Sequence, residues 1–282
     1  MSCSCTSGAK EKDQAPSKLR VITYNVWYGF TKAPERKEPW LAWMKEQRPD
    51  VVSLQELNQY SPETLAADAK AYGHDYSALL KQEGFPTGIT SRYPIEDIKR
   101  ITEGFHHGLI RARIQQIYYY VIHLHPSNWE TRKVEIDQIL QDISSLPPNS
   151  KVILAGDFNT FSPLDSAYYK HNRLEPFFKD RDVQFNEKNL NDGTLDYSVI
   201  EEVMNFGLVD LEASLRKFTY KFTGSFPTLV EKEGEHGDQR RLDYIFTTKN
   251  LSNKVIRAEI ISNDTTLYLS DHLPVMVDFS LP

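Results

Sequence analysis

Short apolar runs, separated by polar residues and turn formers, recur from Leu19 to Phe279. Runs of this length that are rich in Val, Ile, Leu, Tyr and Phe are typical of buried β-strands. Strands are predicted over Leu19–Tyr24, Asp50–Leu54, Tyr76–Leu80, Gly88–Ser91, Ile95–Ile101, Leu109–Ile114, Ile117–Leu124, Val152–Ala155, Leu242–Thr247, Val255–Ile261 and Val275–Phe279.

Between the strands, apolar side chains three and four positions apart predict amphipathic helices. In the longest of these, Ile136, Ile139, Leu140 and Ile143 fall on one face, and a proline pair follows it. Helices are predicted over Pro34–Arg48, Ser61–Ala71, Trp129–Leu146, Pro163–Lys170 and Asp196–Asn205. The polar segments Lys170–Leu195 and Phe222–Arg241 lack this periodicity and are predicted as loops, the first a substrate-side loop or a variable insertion.

The composition is that of a large globular protein. The 282 residues are 40% hydrophobic, which is enough for a sizeable core. We predict a disordered polar leader over residues 1–18 and a single domain over residues 19–282, with a monomer as the expected state. A formal net charge of -6 disfavours extended contacts with duplex DNA, because such contacts neutralise many phosphates. No apolar run approaches the ~20 residues of a membrane-spanning helix.

The only two cysteines, Cys3 and Cys5, lie in the leader and provide no disulfide framework. A cysteine ahead of a flexible polar tether is typical of a mature bacterial lipoprotein. We therefore expect either an extracytoplasmic protein with a lipid anchor at Cys3 or a cytoplasmic protein with a flexible terminus.

Polar side chains stand at the ends of several predicted strands. Each has an ordinary interpretation by itself: Asp157 and Asn159, for example, could form an Asx turn. Because strand ends in packed sheets lie near one another, we expect these groups to converge on one cleft. Acids, amides and imidazoles without thiolates suit a hard cation such as Mg²⁺ or Mn²⁺. The set comprises Asn25, Glu56, His123, Asp157, Asn159, Asp243, Asp271 and His272.

Three further residues are candidates for substrate binding. Arg111 and Arg113 alternate onto one face of a predicted strand, which is either a solvated face or a phosphate-binding pair. His123 and His125 share a face at the end of the next strand. A His-x-His pair can bind zinc, but no cysteine cluster or HExxH motif accompanies it, so we favour a histidine that hydrogen bonds a phosphate.

Seven short motifs occur in a characteristic order: TYNVW, LQEL, SRYPI, VIHLHP, GDFNT, RLDYIF and SDHLPV. In this order they resemble the endonuclease/exonuclease/phosphatase superfamily, whose members are deoxyribonuclease I-like. The resemblance extends from about Leu19 to Phe279. It implies a four-layered α/β sandwich, with two mixed β-sheets face to face and helices outside, and metal-dependent hydrolysis of phosphate esters.

The same resemblance implies roles for the residues of the motifs. Glu56 corresponds to the main ligand of a Mg²⁺ or Mn²⁺ ion, Asn25 lies beside the metal or the phosphate, and Asp271 assists the metal. Asp157 positions or deprotonates the attacking water. The remaining roles concern the phosphate. Asn159 holds one of its oxygens, and His272 stabilises the negative charge that develops, with Asp243 orienting the imidazole. His123 matches the family's motif histidine better than His125 does.

The substrate stays open at this level. The leading hypothesis is a phosphodiesterase or phosphatase that attacks the ester with activated water. The alternatives are a Mg²⁺-dependent nuclease acting on DNA, a sphingomyelinase-like lipid phosphodiesterase and a non-catalytic binding module on the same fold. For the lipid hypothesis, Phe177, Phe178 and Phe226 are the candidate membrane contacts.

Overall fold

The computed structural model describes residues 18–216, 223–232 and 234–281. The predicted disordered leader and the lipid anchor at Cys3 therefore lie outside the described residues, except for Lys18. This last residue of the predicted leader is described, and its ammonium is 3.0 Å from the carboxylate of Asp278.

The described chain forms fourteen strands and eight α-helices, together with short 3₁₀ turns. The strands are β1 (Leu19–Asn25), β2 (Val51–Gln55), β3 (Tyr76–Leu79), β4 (Gly88–Ser91), β5 (Glu96–Ile101), β6 (Leu109–Ile114), β7 (Ile117–His123), β8 (Lys151–Asp157), β9 (Leu190–Asn191), β10 (Thr194–Leu195), β11 (Leu208–Asp210), β12 (Asp243–Thr248), β13 (Val255–Ile260) and β14 (Val275–Phe279). The helices are α1 (Lys37–Gln47), α2 (Pro62–Ala71), α3 (Trp129–Ser144), α4 (Ser166–Tyr169), α5 (Leu174–Phe185), α6 (Ser198–Asn205), α7 (Leu211–Leu215) and α8 (Lys249–Ser252).

Twelve of the strands form two six-stranded sheets. The first has the order β13-β14-β1-β2-β4-β3 and the second the order β11-β12-β8-β7-β6-β5. Each sheet is mixed, because β1 and β2 are parallel, β7 and β8 are parallel, and the other neighbours are antiparallel. The two parallel pairs lie at equivalent central positions, and this equivalence brings the site together.

Three apolar clusters separate four layers. Between the two sheets lie Val21 and Val277 from one side and Val121 and Ile153 from the other. On the outer face of the first sheet, α1 and α2 pack through residues such as Trp40. The outer face of the second sheet is covered by α3 and α6. The fold is therefore the predicted four-layered α/β sandwich, with two mixed sheets face to face and helices outside.

Helix boundaries follow the local sequence. The Ser61 side chain accepts a hydrogen bond from the Thr64 amide at 3.2 Å, so the predicted N-cap of α2 is confirmed. Asn128 caps α3 in the same way by accepting from the amides of Glu130 and Thr131. After α6, Gly207 has a φ of 101°, a left-handed conformation that favours glycine.

The prediction of an irregular loop over Lys170–Leu195 is wrong. This segment contains α5 and the β9–β10 hairpin, and α5 buries Leu174 and Phe178 against a fourth cluster of apolar residues. Two buried positions four residues apart carry too weak a periodicity to be detected among many charged residues. The short elements β11, α7 and α8 also escaped prediction.

Within the described ranges, no helix has both the length and the apolar character that crossing a bilayer requires.

A buried ion-pair cluster supports the loop that precedes β12. The Arg241 guanidinium is fully buried. It contacts Asp165 at 2.7 Å, Asp210 at 2.7 Å and Glu212 at 3.2 Å. We expect Arg241→Met to lower the free energy of unfolding by about 3–5 kcal/mol, because it removes the buried counter-charge of Asp210 and leaves Asp165 and Glu212, among the described residues, with Arg216 alone. Urea unfolding followed by circular dichroism measures this loss.

The matched control is Arg257→Met, since Arg257 forms a largely exposed pair with Glu259. For this variant we expect the free energy of unfolding to fall by about 0–1 kcal/mol. Equal losses for the two variants would contradict the structural role of the buried cluster.

Candidate active site

The predicted site residues lie at one edge of the two sheets. Parallel pairing places the carboxyl ends of β1 and β2 side by side, with Asn25 opposite Gln55, and those of β7 and β8 side by side, with His123 opposite Asp157. The antiparallel strand β12 begins at the same edge, where Asp243 pairs with Asp157. Chain direction therefore gathers side chains from both sheets into one cleft.

A glycine permits the close approach of β7 and β8 at this edge. Gly156 precedes Asp157 and has a φ of +148°. A Cβ atom at this position would lie 2.0 Å from the carbonyl oxygen of Ile122 on β7. Any side chain would push the strands apart, so Gly156 fixes the position from which the Asp157 carboxylate points into the cleft.

Asn25 joins the two sheets through its side-chain amide. The Nδ2 atom donates to Glu56 Oε1 at 3.2 Å and to Asp157 Oδ2 at 3.2 Å. The Oδ1 atom accepts from the backbone amide of Trp27 at 3.1 Å, which fixes the orientation of the amide. In this arrangement Asn25 positions two carboxylates, and its oxygen faces the backbone. Its place beside the metal or the phosphate stays a prediction.

His272 and Asp243 form a buried pair. His272 Nδ1 lies 2.7 Å from Asp243 Oδ2, and the opposite ring nitrogen, Nε2, lies 3.8 Å from Asp157 Oδ2. Ser225 Oγ accepts a hydrogen bond from the Asp243 amide, and the Phe226 ring lies 4.7 Å from the imidazole. The imidazole is therefore oriented from one side and presents its free nitrogen to the cleft.

The charges in this pit shift one another's pKa values. Burial disfavours the imidazolium of His272, but the carboxylates of Asp243, Asp271 and Asp157 outweigh it and raise the pKa to about 10. Burial raises the pKa of Asp157 to about 7 and that of Asp271 to about 8, and Glu56 contributes to both increases. Near neutral pH the imidazole of His272 is therefore protonated, and a bound cation would favour the ionised form of the Asp157 and Asp271 carboxyl groups.

Asn159 and His123 lie against Asp157. The backbone amide of Asn159 donates to Asp157 Oδ1 at 2.9 Å, and the Nδ2 atom of Asn159 donates to the Leu124 carbonyl at 3.1 Å. His123 Nε2 is 3.6 Å from Asp157 Oδ2. Burial and the neighbouring histidines lower the pKa of His123 well below its usual value, so the ring is neutral. His125, predicted to bind substrate, is not among the residues that line the cleft, and its Nδ1 accepts from the Ser127 amide at 3.1 Å.

The expectation that Arg111 and Arg113 bind substrate requires correction. Arg111 donates to both carboxylate oxygens of Asp142 on α3, at 2.9 and 2.8 Å. Arg113 is paired with Glu96 and Asp97 at the sheet edge. Neither arginine lines the cleft. Both guanidinium groups are held by carboxylates and Arg111 is buried, so the alternative of a solvated strand face does not describe this strand either.

Several cleft residues lie outside the predicted set of site residues. The cleft has a volume of about 620 Å³, and His107, Phe177, Phe226 and Arg240 line it. His107 stacks on His123 with ring centroids 4.2 Å apart. Ser270, which donates to the Asn25 carbonyl at 2.7 Å, was also missed. The position of Ser270 beside Asp271 and His272 is a sequence signal that could have identified it. Phe177, Phe226 and Arg240 offered no such signal, because they lie in segments predicted as loops.

Two groups within the described residues could hold a metal ion. The first is buried and consists of Asp157, Asp243 and His272, whose ligand atoms lie within 4.8 Å of one another. The second lies at the cleft rim and consists of Glu231, Glu235 and His236. Oxygen donors predominate in both groups and thiolates are absent from them, which matches the preference of hard divalent cations.

A family model described as "Endonuclease/Exonuclease/phosphatase family" matches residues 22–272, which include every residue of the buried site. The chain belongs to the endonuclease/exonuclease/phosphatase family. Members of this family are typically metal-dependent phosphoester hydrolases. No curated protein sequence matches the chain significantly.

Solved structures of family members share the fold. An AP endonuclease from Archaeoglobus fulgidus superposes with a TM-score of 0.66 at 19% identity, covering 93% of this chain and 100% of that chain. The 3′ phosphatase NExo from Neisseria, bound to a product DNA hairpin, has a TM-score of 0.65 at 15% identity, with the same coverage. A humanized TDP2 from D. rerio has a TM-score of 0.63 at 21% identity and covers 94% of this chain and 100% of its own. At these identities the likeness concerns the fold.

The His272–Asp243 pair gives a prediction about protonation. Asp243 favours the charged ring, so in the metal-free protein we expect the His272 nitrogen signals to stay those of an imidazolium from pH 6 to about pH 9. Asp243→Asn removes one of the carboxylates that raise the pKa, so the ring should lose its proton at lower pH. Long-range ¹H–¹⁵N correlation spectra across a pH series measure this directly.

The matched control is Asp264→Asn, because Asp264 is exposed and is not among the carboxylates that raise the pKa of His272. This variant should leave the His272 titration unchanged. A wild-type ring that titrates near pH 6.5 would contradict the electrostatic account of the site.

Proposed function

We propose that this protein is a Mg²⁺- or Mn²⁺-dependent phosphoesterase that cleaves its substrate by attack of an activated water. The observation that carries the proposal is the convergence of Glu56, Asp157 and His272 on one buried pit, with Asn25 linking the two carboxylates across the sheets. Phosphoryl transfer depends mainly on positioning and charge stabilisation, which such a pit supplies.

Glu56 and Asp271 are the residues we assign to the metal. Both line the cleft. The Glu56 carboxylate is oriented by Asn25 and by the Tyr28 amide, which donates to Oε2 at 2.9 Å. We do not assign His272, because a protonated imidazole has no free lone pair for a cation. When bound, the ion supplies Lewis acidity at a phosphoryl oxygen.

Asp157 is the residue we assign to the water. Its two oxygens are held by Asn25 and by the Asn159 amide, so the carboxylate cannot rotate freely. Burial raises the pKa of Asp157 to about 7, which is close to the value that suits a general base at neutral pH. A positioned base of this kind orients the water and takes up its proton.

His272 is the residue we assign to the negative charge that develops on the phosphate. Its Nδ1 is hydrogen-bonded to Asp243, so Nε2–H is the group that donates to a phosphoryl oxygen. Asn159 and the neutral His123 lie on the other side of Asp157 and can contact the remaining oxygens. Donors fixed before the reaction stabilise the transition state without reorganisation.

The cleft favours a small or terminal phosphate ester. Glu187, Glu231 and Glu235 line it together with the site carboxylates, so it lacks the basic surface that extended duplex contacts need. Phe178 and Phe226 are buried, and Phe177 lines the cleft wall, so these residues do not form an exposed membrane loop. The complete set of polar groups argues against a non-catalytic module.

Substitution of the water- and phosphate-binding residues tests the assignment. We expect Asp157→Asn and His272→Ala each to lower kcat by about 10²-fold or more, because they remove a base and an oxyanion donor. The assay is Mg²⁺-stimulated hydrolysis of bis-p-nitrophenyl phosphate, which a chelator should abolish. Circular dichroism checks that the variants fold.

The exposed residues Asp264 and His171 provide matched controls. Asp264→Asn and His171→Ala should keep kcat within about twofold, as is usual for surface substitutions. Near-normal turnover in both site variants would refute the assigned roles.

Removal of the Glu56 charge tests the metal assignment separately. We expect Glu56→Gln to raise the Mg²⁺ concentration for half-maximal activity by about tenfold or more, because the ion loses an anionic ligand. A metal titration of the hydrolysis rate measures the shift. An unchanged midpoint would place the ion elsewhere in the cleft.

A further inference from the structure

Arg240 is a buried cation in the wall of the cleft. It lies just before β12, is 5% exposed and lines the same cavity as His272. Three aromatic rings surround its guanidinium carbon, with centroids at 4.7 Å for Phe226, 5.1 Å for Phe178 and 5.9 Å for Phe177. The rings hold the guanidinium in place and shield it from water.

The guanidinium has no anionic partner among the described residues. Its Nη1 donates to the carbonyls of His236 at 2.6 Å and Asp238 at 3.2 Å, and its buried Nε has no acceptor. The contrast with its neighbour is clear, since Arg241 contacts three carboxylates. Arg181, another arginine of the cleft, is paired with Glu187. Burial of a cation without a counter-charge is unfavourable, so such a site attracts an anion.

Arg240 lies close to the reacting groups but does not overlap them. The Phe226 ring centroid is 4.7 Å from both the His272 ring centroid and the Arg240 guanidinium carbon, so both cations contact the same aromatic ring. An anion on Arg240 would therefore sit beside the phosphate on His272, as a second group of the same substrate. The planar guanidinium fork suits phosphate oxygens in particular.

We propose that Arg240 binds a second phosphate of the substrate, so that the preferred substrate is a phosphate ester carrying a further phosphate close to the bond that is cleaved. This inference rests on the proposed function. Two sources share this chemistry, a nucleotide with neighbouring phosphates and a small bisphosphorylated metabolite. A phosphocholine ester is disfavoured, because its quaternary ammonium would face the guanidinium.

A binding experiment tests the second site without relying on turnover. Calorimetry at saturating Mg²⁺ compares propylphosphonate with propane-1,3-bisphosphonate, which differ by one anion and resist hydrolysis. We expect the wild-type protein to bind the bisphosphonate about tenfold more tightly or better, as for charge-assisted hydrogen bonds. Arg240→Met should bind both compounds equally, and Arg240→Lys, which keeps the charge without the fork, should retain part of the gain.

Arg181→Met is the matched control, since it removes a paired arginine from the same cleft and should keep the full gain. Thermal melting confirms that Arg240→Met is folded. A nucleotide arm compares kcat/KM for p-nitrophenyl thymidine 5′-phosphate with and without a 3′-phosphate. A higher affinity for the bisphosphonate, or a higher kcat/KM for the 3′-phosphorylated nucleotide, supports the proposal if Arg240→Met abolishes it. If only the nucleotide shows the increase, the second phosphate comes from a nucleotide.

The two proposals fail in different ways. Equal binding of both phosphonates with no gain in the nucleotide arm, or a gain that survives in Arg240→Met, overturns the second phosphate site and leaves the hydrolase assignment intact. An Arg240-dependent gain in binding without hydrolysis of any ester supports the phosphate site and contradicts the proposed enzyme.

Discussion

The site depends on one electrostatic constraint: several carboxyl groups are held close together where water cannot screen them. Asp157, Asp243 and Asp271 are all buried. Burial and mutual repulsion raise the pKa values of Asp157 and Asp271, and the same carboxylates raise that of His272. The protonated imidazole compensates part of this charge, and a divalent cation beside Glu56 would compensate more.

The sandwich architecture holds these groups in place against their repulsion. Parallel pairing within each sheet fixes the positions of Asn25 and Asp157 along their strands. The packed core fixes the distance between the two sheets. The Asn25 amide then joins the sheets by donating to Asp157 of the second sheet, while it also donates to Glu56 beside its own sheet. A rigid scaffold of this kind keeps donors and acceptors in their working positions before substrate arrives.

The residues proposed to select the substrate belong to a different part of the molecule. The groups proposed for the reaction lie at or next to strand ends, whereas Phe177, Phe178, Phe226 and Arg240 come from α5 and from the loop before β12. Such segments can vary without disturbing the reaction centre, because they pack on the rim of the cleft. The acidic lining of the cavity disfavours an extended duplex, whereas its buried Arg240 suits the phosphate of a small ester.

The sequence by itself determined the layers and most of the polar residues that converge on the cleft. Strands such as β4 and β14 are visible as apolar runs with the observed bounds, and Asn25, Glu56, Asp157, Asp243 and His272 could be identified because they follow or precede such runs within recognisable motifs. These signals are local, so a linear pattern contains them.

Only the tertiary structure decided how side chains distant in sequence meet. Arg111 was expected to bind substrate, but α3 brings Asp142 to it, and no local pattern reveals that pairing. Arg240 and Arg241 are adjacent and chemically identical, yet one meets three carboxylates and the other meets three phenylalanine rings. Burial and counter-charge are properties of the surroundings, and those surroundings exist only once the chain has folded.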